Sequence, residues 1–246
     1  AISIYQDATG KSTWFKLHSL RLQPFQFTSQ EKFWMGVSFT SGFTALACEV
    51  LWSRLLVFSM SCTIYSFSMM LAIFLLGIAL GSLLAVPVSR YFADSSSVIL
   101  ALQVGIGIYL LFSLYTMESI LSSPWNGYNL QSPAATFARY LKDSSALMLA
   151  PTMLFGMTFP ILIRIISGGG IFVGRGTGLI YASNTVGAIA GSLTAGFLLL
   201  PKLGAEKSLA LTATCNFLLA LIIFRTGDFL TLSVRKGRTT VMACAI

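Results

Sequence analysis

Six runs of predominantly apolar residues, at 33–58, 63–89, 97–116, 145–167, 177–200 and 207–224, constrain this chain more than any other feature. A helix rises about 1.5 Å per residue, so about 20 such residues cross a hydrocarbon core of about 30 Å, and each run has close to that length or more. No soluble core could hide them all: 55% of the residues are hydrophobic and only 10% are charged. The expected fold is an all-α polytopic membrane protein of about six transmembrane helices.

Residues 1–32 mix polar and aromatic side chains without the order of a signal peptide and read as a cytoplasmic or interfacial segment, with Trp14, Phe15, Leu20 and Leu22 towards the headgroups. Residues 33–225 form the membrane domain. Its one long loop, 117–144, separates three helices from three; within it Pro124 and Trp125 punctuate a turn, and 134–143 has the pattern of a short amphipathic helix on the outer surface. Residues 226–246 make a basic tail whose end, from Thr239, reads as the opening of a further apolar segment.

The net charge of +8 is spread between and beside the apolar runs rather than along one aromatic-interleaved stripe. It therefore speaks for membrane orientation and not for nucleic acid. Lys11, Lys16, Arg21, Lys32, Arg90, Arg164, Arg175, Arg225, Arg235, Lys236 and Arg238 fall on the side of the termini, against Arg54, Arg139, Lys142, Lys202 and Lys207 on the other. This places both ends in the cytoplasm.

Catalytic and metal chemistry find little support. Cys48, Cys62, Cys215 and Cys244 have no metal-ligand spacing, His18 is the single histidine, and no nucleophile–base pair or cofactor motif is evident. The Gly168-Gly169-Gly170 triplet lacks the preceding strand and the Gly-Lys-Ser/Thr of a phosphate loop, so it reads as a turn. No cofactor is expected, and the expected partners are the lipid bilayer with other membrane subunits or a second copy of the chain.

The candidate binding and ion-pairing residues are the few polar groups inside the runs. Glu49 lies in the outer half of the first helix, poorly aligned with Arg54 five residues on, so its partner is sought at Thr63, Tyr65, Ser66 or Thr194. Two roles fit it: a carboxylate binding a proton or a cationic substrate, or a structural group hydrogen-bonded in the bundle. On the inner half Pro160 should kink the fourth helix and free the carbonyl of Gly156, which Asn184 could satisfy, beside Arg164, Tyr181 and Thr185. Small residues at steps of four, Gly77 and Gly81 in the second helix and Ser183, Gly187, Gly191 and Ala195 with Gly196 in the fifth, allow close helix contact. They make the fifth helix the expected centre of the bundle.

Cys48-Glu49-Val50-Leu51-Trp52-Ser53-Arg54, Phe74-Leu75-Leu76-Gly77-Ile78-Ala79-Leu80-Gly81, Phe155-Gly156-Met157-Thr158-Phe159-Pro160 with Arg164, and Tyr181-Ala182-Ser183-Asn184-Thr185-Val186-Gly187 together resemble the membrane region of bacterial fused major-facilitator/spermidine synthase proteins. The resemblance covers about 34–224. It implies a bundle like half of a major facilitator transporter in a bacterial inner membrane, and a soluble aminopropyltransferase-like domain that has no counterpart in residues 1–246. The expected role is a non-catalytic scaffold or accessory subunit, the alternative a transporter-like domain for a small, polyamine-like cation. The charge asymmetry predicts that a reporter fused after Arg238 is cytoplasmic; a periplasmic reporter signal would reverse the orientation.

Overall fold

The computed structural model describes residues 5–6, 12–13, 27–59, 64–92, 94–122, 132–167 and 173–243. The interfacial segment containing Trp14 and Leu20, the Pro124–Trp125 turn and the Gly168 triplet lie largely or wholly outside these residues. Apart from a two-residue antiparallel ladder, Tyr5–Gln6 with Ser12–Thr13, the described chain is helical: α1 (Ser29–Ser59), α2 (Ile64–Tyr91), α3 (Ser95–Ser122), α4 (Pro133–Ser144), α5 (Ala150–Ser167), α6 (Val173–Thr194) and α7 (Leu200–Ala243). Five-residue π turns, Ser145–Leu149 and Ala195–Leu199, carry α4 into α5 and α6 towards α7 without a loop.

Four helical segments are long and apolar enough to cross a membrane: Ile64–Tyr91, Ser95–Ile120, Ala134–Ser167 and Gly174–Thr226. The chain is a multi-pass membrane protein. The last segment, 53 residues, would measure about 80 Å as one rod, but it breaks at Gly204, whose φ of 74° and ψ of 174° suit glycine almost alone. α1, with its serines, threonines, Glu49 and Arg54, is less apolar than α2, α3 and α5. It is nevertheless the innermost helix, with Ser38, Thr44, Ala47, Cys48, Leu51 and Trp52 all buried. A helix walled by protein needs no lipid-facing apolar surface.

The bundle is held as helix pairs: α1 on α6, α2 on α5, and α3 on α7, with α3 also on α5 and α1 on α7. In the first pair a Cβ added at Gly187 or Gly191 would stand 2.1 Å from the carbonyl oxygen of Phe39 or Phe43. Both positions advance together, so α1 and α6 run parallel. A Cβ at Gly81 would stand 2.0 Å from the Met153 carbonyl, and one at Gly156 2.4 Å from that of Ile78. Such approach replaces side-chain packing by backbone dispersion and suits an apolar solvent that gives helices no hydrophobic drive to associate. Polar bonds fix the register: Ser38 Oγ donates to the Ile180 carbonyl at 3.0 Å and Ser183 Oγ to that of Met35 at 2.6 Å.

Across α1 and α7 the order reverses. Thr44 Oγ1 donates to Asn216 Oδ1 at 3.4 Å, while the Cys48 thiol meets the Thr212 side chain, so these helices are antiparallel. It follows that α6 and α7 also run in opposite directions.

Three sequence expectations change. The fifth apolar run is not the centre: α6 with its following π turn presents Gly187, Gly191 and Ala195 to protein and leaves Tyr181, Val186, Ile189, Leu193 and Phe197 exposed, because glycine spacing defines one contact face and says nothing of the other. Gly196 does not join the tight contact, since its nearest neighbour is Val50 Cγ1 at 4.0 Å from the built Cβ. The long loop contracts to the stretch between Ser122 and Pro133; the short amphipathic helix expected over 134–143 is present as α4, with Phe137 and Leu141 exposed, but it continues into α5 and buries Arg139, Tyr140 and Asp143 against α2 and its own π turn. Polar residues end an apolar run without ending a helix.

Gly191→Ala should lower stability by about 1–3 kcal/mol or more, because the obstacle is rigid backbone. Gly178→Ala, with nothing within 4 Å of the new methyl, should leave stability unchanged or raise it by up to about 1 kcal/mol. Thermal unfolding in detergent micelles measures the contrast, and equal losses in both variants would refute the close approach.

Candidate functional site

The helix pairs α1/α6 and α2/α5 meet around a cleft of about 240 Å³. Ser41, Gly42 and Leu46 of α1, Ile78 and Ser82 of α2, Phe155, Gly156, Thr158 and Phe159 of α5, and Tyr181 and Asn184 of α6 contribute to its wall, and no charged side chain does. Gly42 is required here: a Cβ on it would lie 2.3 Å from the Asn184 carbonyl oxygen and 2.8 Å from its side-chain Oδ1. Phe159 and Tyr181 meet edge to face, ring centroids 6.2 Å apart, and link α5 to α6.

α5 remains helical through Pro160. The Gly156 carbonyl, which has no helical donor because proline lacks an N–H, accepts from Ser82 Oγ at 3.2 Å; the same hydroxyl lies 2.9 Å from the Ile78 carbonyl. This overturns the expectation that Asn184 satisfies Gly156: α2 packs directly on that turn of α5, and its serine arrives first. The Asn184 amide makes no hydrogen bond among the described residues and remains available in the cleft wall. Arg164 leaves the interior, its Nη1 donating to the Ser89 carbonyl, and so ties the C-terminal ends of α5 and α2 together.

Glu49 stands apart from the cleft. It is half-buried, and among the described residues it has neither an ion pair nor a hydrogen bond; Tyr65, Ser66 and Thr194 do not reach it, and Thr63 lies outside those residues. The π turn Ala195–Leu199 packs against this level of α1, bringing Gly196 beside Val50. Arg54 is exposed. Tyr65, 82% exposed, lines a second, larger groove of about 630 Å³ where Met69 and Ala72 of α2 face Phe137 and Tyr140 of α4. The sequence-selected polar residues therefore divide between the cleft (Tyr181, Asn184), the groove between α2 and α4 (Tyr65), the C-terminal end of α5 (Arg164) and the C-terminal half of α1 (Glu49, Arg54). They do not form one centre. No group of three or more metal-ligating side chains occurs among the described residues.

One feature escaped the sequence reading. Arg139 and Asp143, four residues apart on α4, approach to 3.5 Å with side chains only 7% and 12% exposed. Their spacing was visible, but Arg139 reads as a charge on the outer surface until α4 is seen to pack on α2. Tyr109 of α3 closes the neighbouring π turn by donating its hydroxyl to the Ala146 carbonyl at 2.5 Å, satisfying a backbone acceptor within the widened turn.

No protein-family model, no curated protein and no solved structure matches the chain.

Asp143→Leu should lower stability by about 3–5 kcal/mol by stranding a buried guanidinium, and the double variant Arg139→Met/Asp143→Leu should recover most of that loss. A double-mutant cycle by thermal unfolding measures the coupling; additive losses would show that the pair is not coupled.

Proposed function

We propose that this chain is a non-catalytic membrane scaffold or accessory subunit of a larger inner-membrane assembly. The observation that carries the reading is the backbone-to-backbone packing of α1 on α6 and α2 on α5. It makes a stiff bundle whose outer helix faces, such as Leu75, Leu83 and Val86 on α2 and Val186, Ile189 and Leu193 on α6, are free to meet lipid or another subunit. Glu49, the carboxylate inside the apolar run of α1, lines neither the cleft nor the groove between α2 and α4, which weighs against a cation path through them.

A second reading, half of a major-facilitator-like transporter with six crossings and both ends cytoplasmic, has its own support in the pairing pattern. Exchanging α1 with α5, α2 with α6 and α3 with α7 turns α1·α6 into α2·α5 and α1·α7 into α3·α5, and returns α3·α7 to itself. The glycines follow: two, four apart, on α2 and on α6, answered by one on α5 and one on α1. Two three-helix units related in this way are the architecture of inverted-repeat transporters. The same pattern agrees with the resemblance to the fused major-facilitator/spermidine synthase membrane region; any aminopropyl transfer would belong to other residues or another subunit.

Native mass measurement of the full chain, extracted with its surrounding lipids, separates the readings. The scaffold role predicts a defined stoichiometric complex with other subunits or copies, abolished by Ile189→Glu or Leu83→Glu on the lipid-facing sides. A single copy carrying only lipid, and active in transport, would sink it.

A further inference from the structure

The cleft between the two glycine-packed pairs carries two polar groups that the bundle does not use. Ser41 is only 5% exposed and lines the cleft, and its hydroxyl makes no hydrogen bond among the described residues. Most serines in a helix return the hydroxyl to the carbonyl three or four residues earlier, as Ser82 and Ser53 do here. The Asn184 amide, a double donor and an acceptor, is likewise unbonded on the adjoining α6 face of the same pair. A polar group withdrawn from water and left unpaired costs about 1–3 kcal/mol, so the two converge on a space that a hydrogen-bonding guest would complete.

The rest of the wall defines that guest. Leu46, Ile78, Phe155 and Phe159 are apolar, and none of the lining residues is Asp, Glu, Lys, Arg or His. An ion here would have no counter-charge, at a depth where burying an unpaired charge is strongly unfavourable. The volume, about 240 Å³, lies below the roughly 300–1,000 Å³ of sites for drug-sized ligands. Access is from the side of Tyr181, the one lining residue that is largely exposed.

We propose that this cleft binds a small uncharged molecule with an apolar or aromatic body and one amide- or hydroxyl-like head, held by the Ser41 hydroxyl and the Asn184 amide. Gly42 belongs to the site, because any side chain there would displace Asn184 from the wall. The site does not depend on the scaffold role: a subunit that only braces an assembly can hold such a ligand, and subunit stoichiometry is measured separately. It differs in chemistry from the polyamine-like cation that the sequence suggested, since Glu49 is not on the cleft.

The test uses the full chain in lipid nanodiscs and 4-fluorobenzamide as probe, with fluorine line broadening as readout. Nanodiscs without protein give the broadening due to lipid partitioning. The expected result is saturable broadening above that background, weakened about three- to tenfold by Ser41→Ala and by Asn184→Leu, the loss of one neutral hydrogen bond in each case. Equal concentrations of 4-fluorobenzoate and 4-fluorobenzylammonium should not compete. Should Asn184→Leu fail to fold, Ser41→Ala decides alone, since it removes a hydroxyl that bonds nothing in the bundle. Broadening no greater than that of empty nanodiscs, identical broadening in wild type and Ser41→Ala, or stronger competition by the ammonium compound would each overturn the proposal.

Discussion

Everything in this bundle follows from how closely two backbones can approach. In lipid, apolar side chains gain nothing by leaving solvent for one another, so helices adhere through contact area and through polar groups that find partners. Glycine at 187 and 191 lets α6 rest on the main chain of α1, and glycine at 81 and 156 does the same for α2 and α5, while Gly77 makes room for the Thr152 side chain. Ser38, Ser82 and Ser183 then reach carbonyls on the neighbouring helix. Small residues create proximity and hydroxyls fix register, and neither would hold the pair alone.

The cleft is a by-product of this arrangement. Two pairs, each drawn tight along its own seam, leave a space between them beside Gly42 and Gly156. The polar side chains along the seam divide into those used by the fold, such as Ser82 and Thr158, and those left over, Ser41 and Asn184. That division identifies the cleft wall more sharply than residue polarity does, because a residue that holds helices together is not available to hold a guest.

Much of this was legible in the sequence. Apolar run length revealed that the chain is built of membrane-crossing helices, though four such segments stand where six were expected, and steps of four small residues revealed the tight seams, because both depend on helix geometry alone. What the sequence does not encode locally is partner choice. Ser82 rather than Asn184 serves the Gly156 carbonyl, since only the assembled bundle sets α2 against that turn. Glycine spacing marked α6 as closely packed but could not tell that its opposite face lies open, nor that the less apolar α1 sits innermost. The π turns at Ser145–Leu149 and Ala195–Leu199 have compositions ordinary for a helix, so nothing announces them. Arg139 and Asp143 were spaced for an ion pair, yet hydropathy treats any charge as a helix end.

The central position of α1 has a consequence for how the protein is made. Its register-setting bond from Ser38 reaches Ile180, 142 residues further along the chain. At translation rates of about 5–20 residues per second, roughly 7–30 s separate the emergence of the two partners. For that interval α1, less apolar than α2, α3 and α5, has serines and threonines without their eventual partners. Insertion of this protein is therefore a problem of custody: the translocation machinery or the earliest-made neighbours must retain α1 at the edge of the bilayer until α6 and α7 arrive, and the bundle assembles around its first helix last.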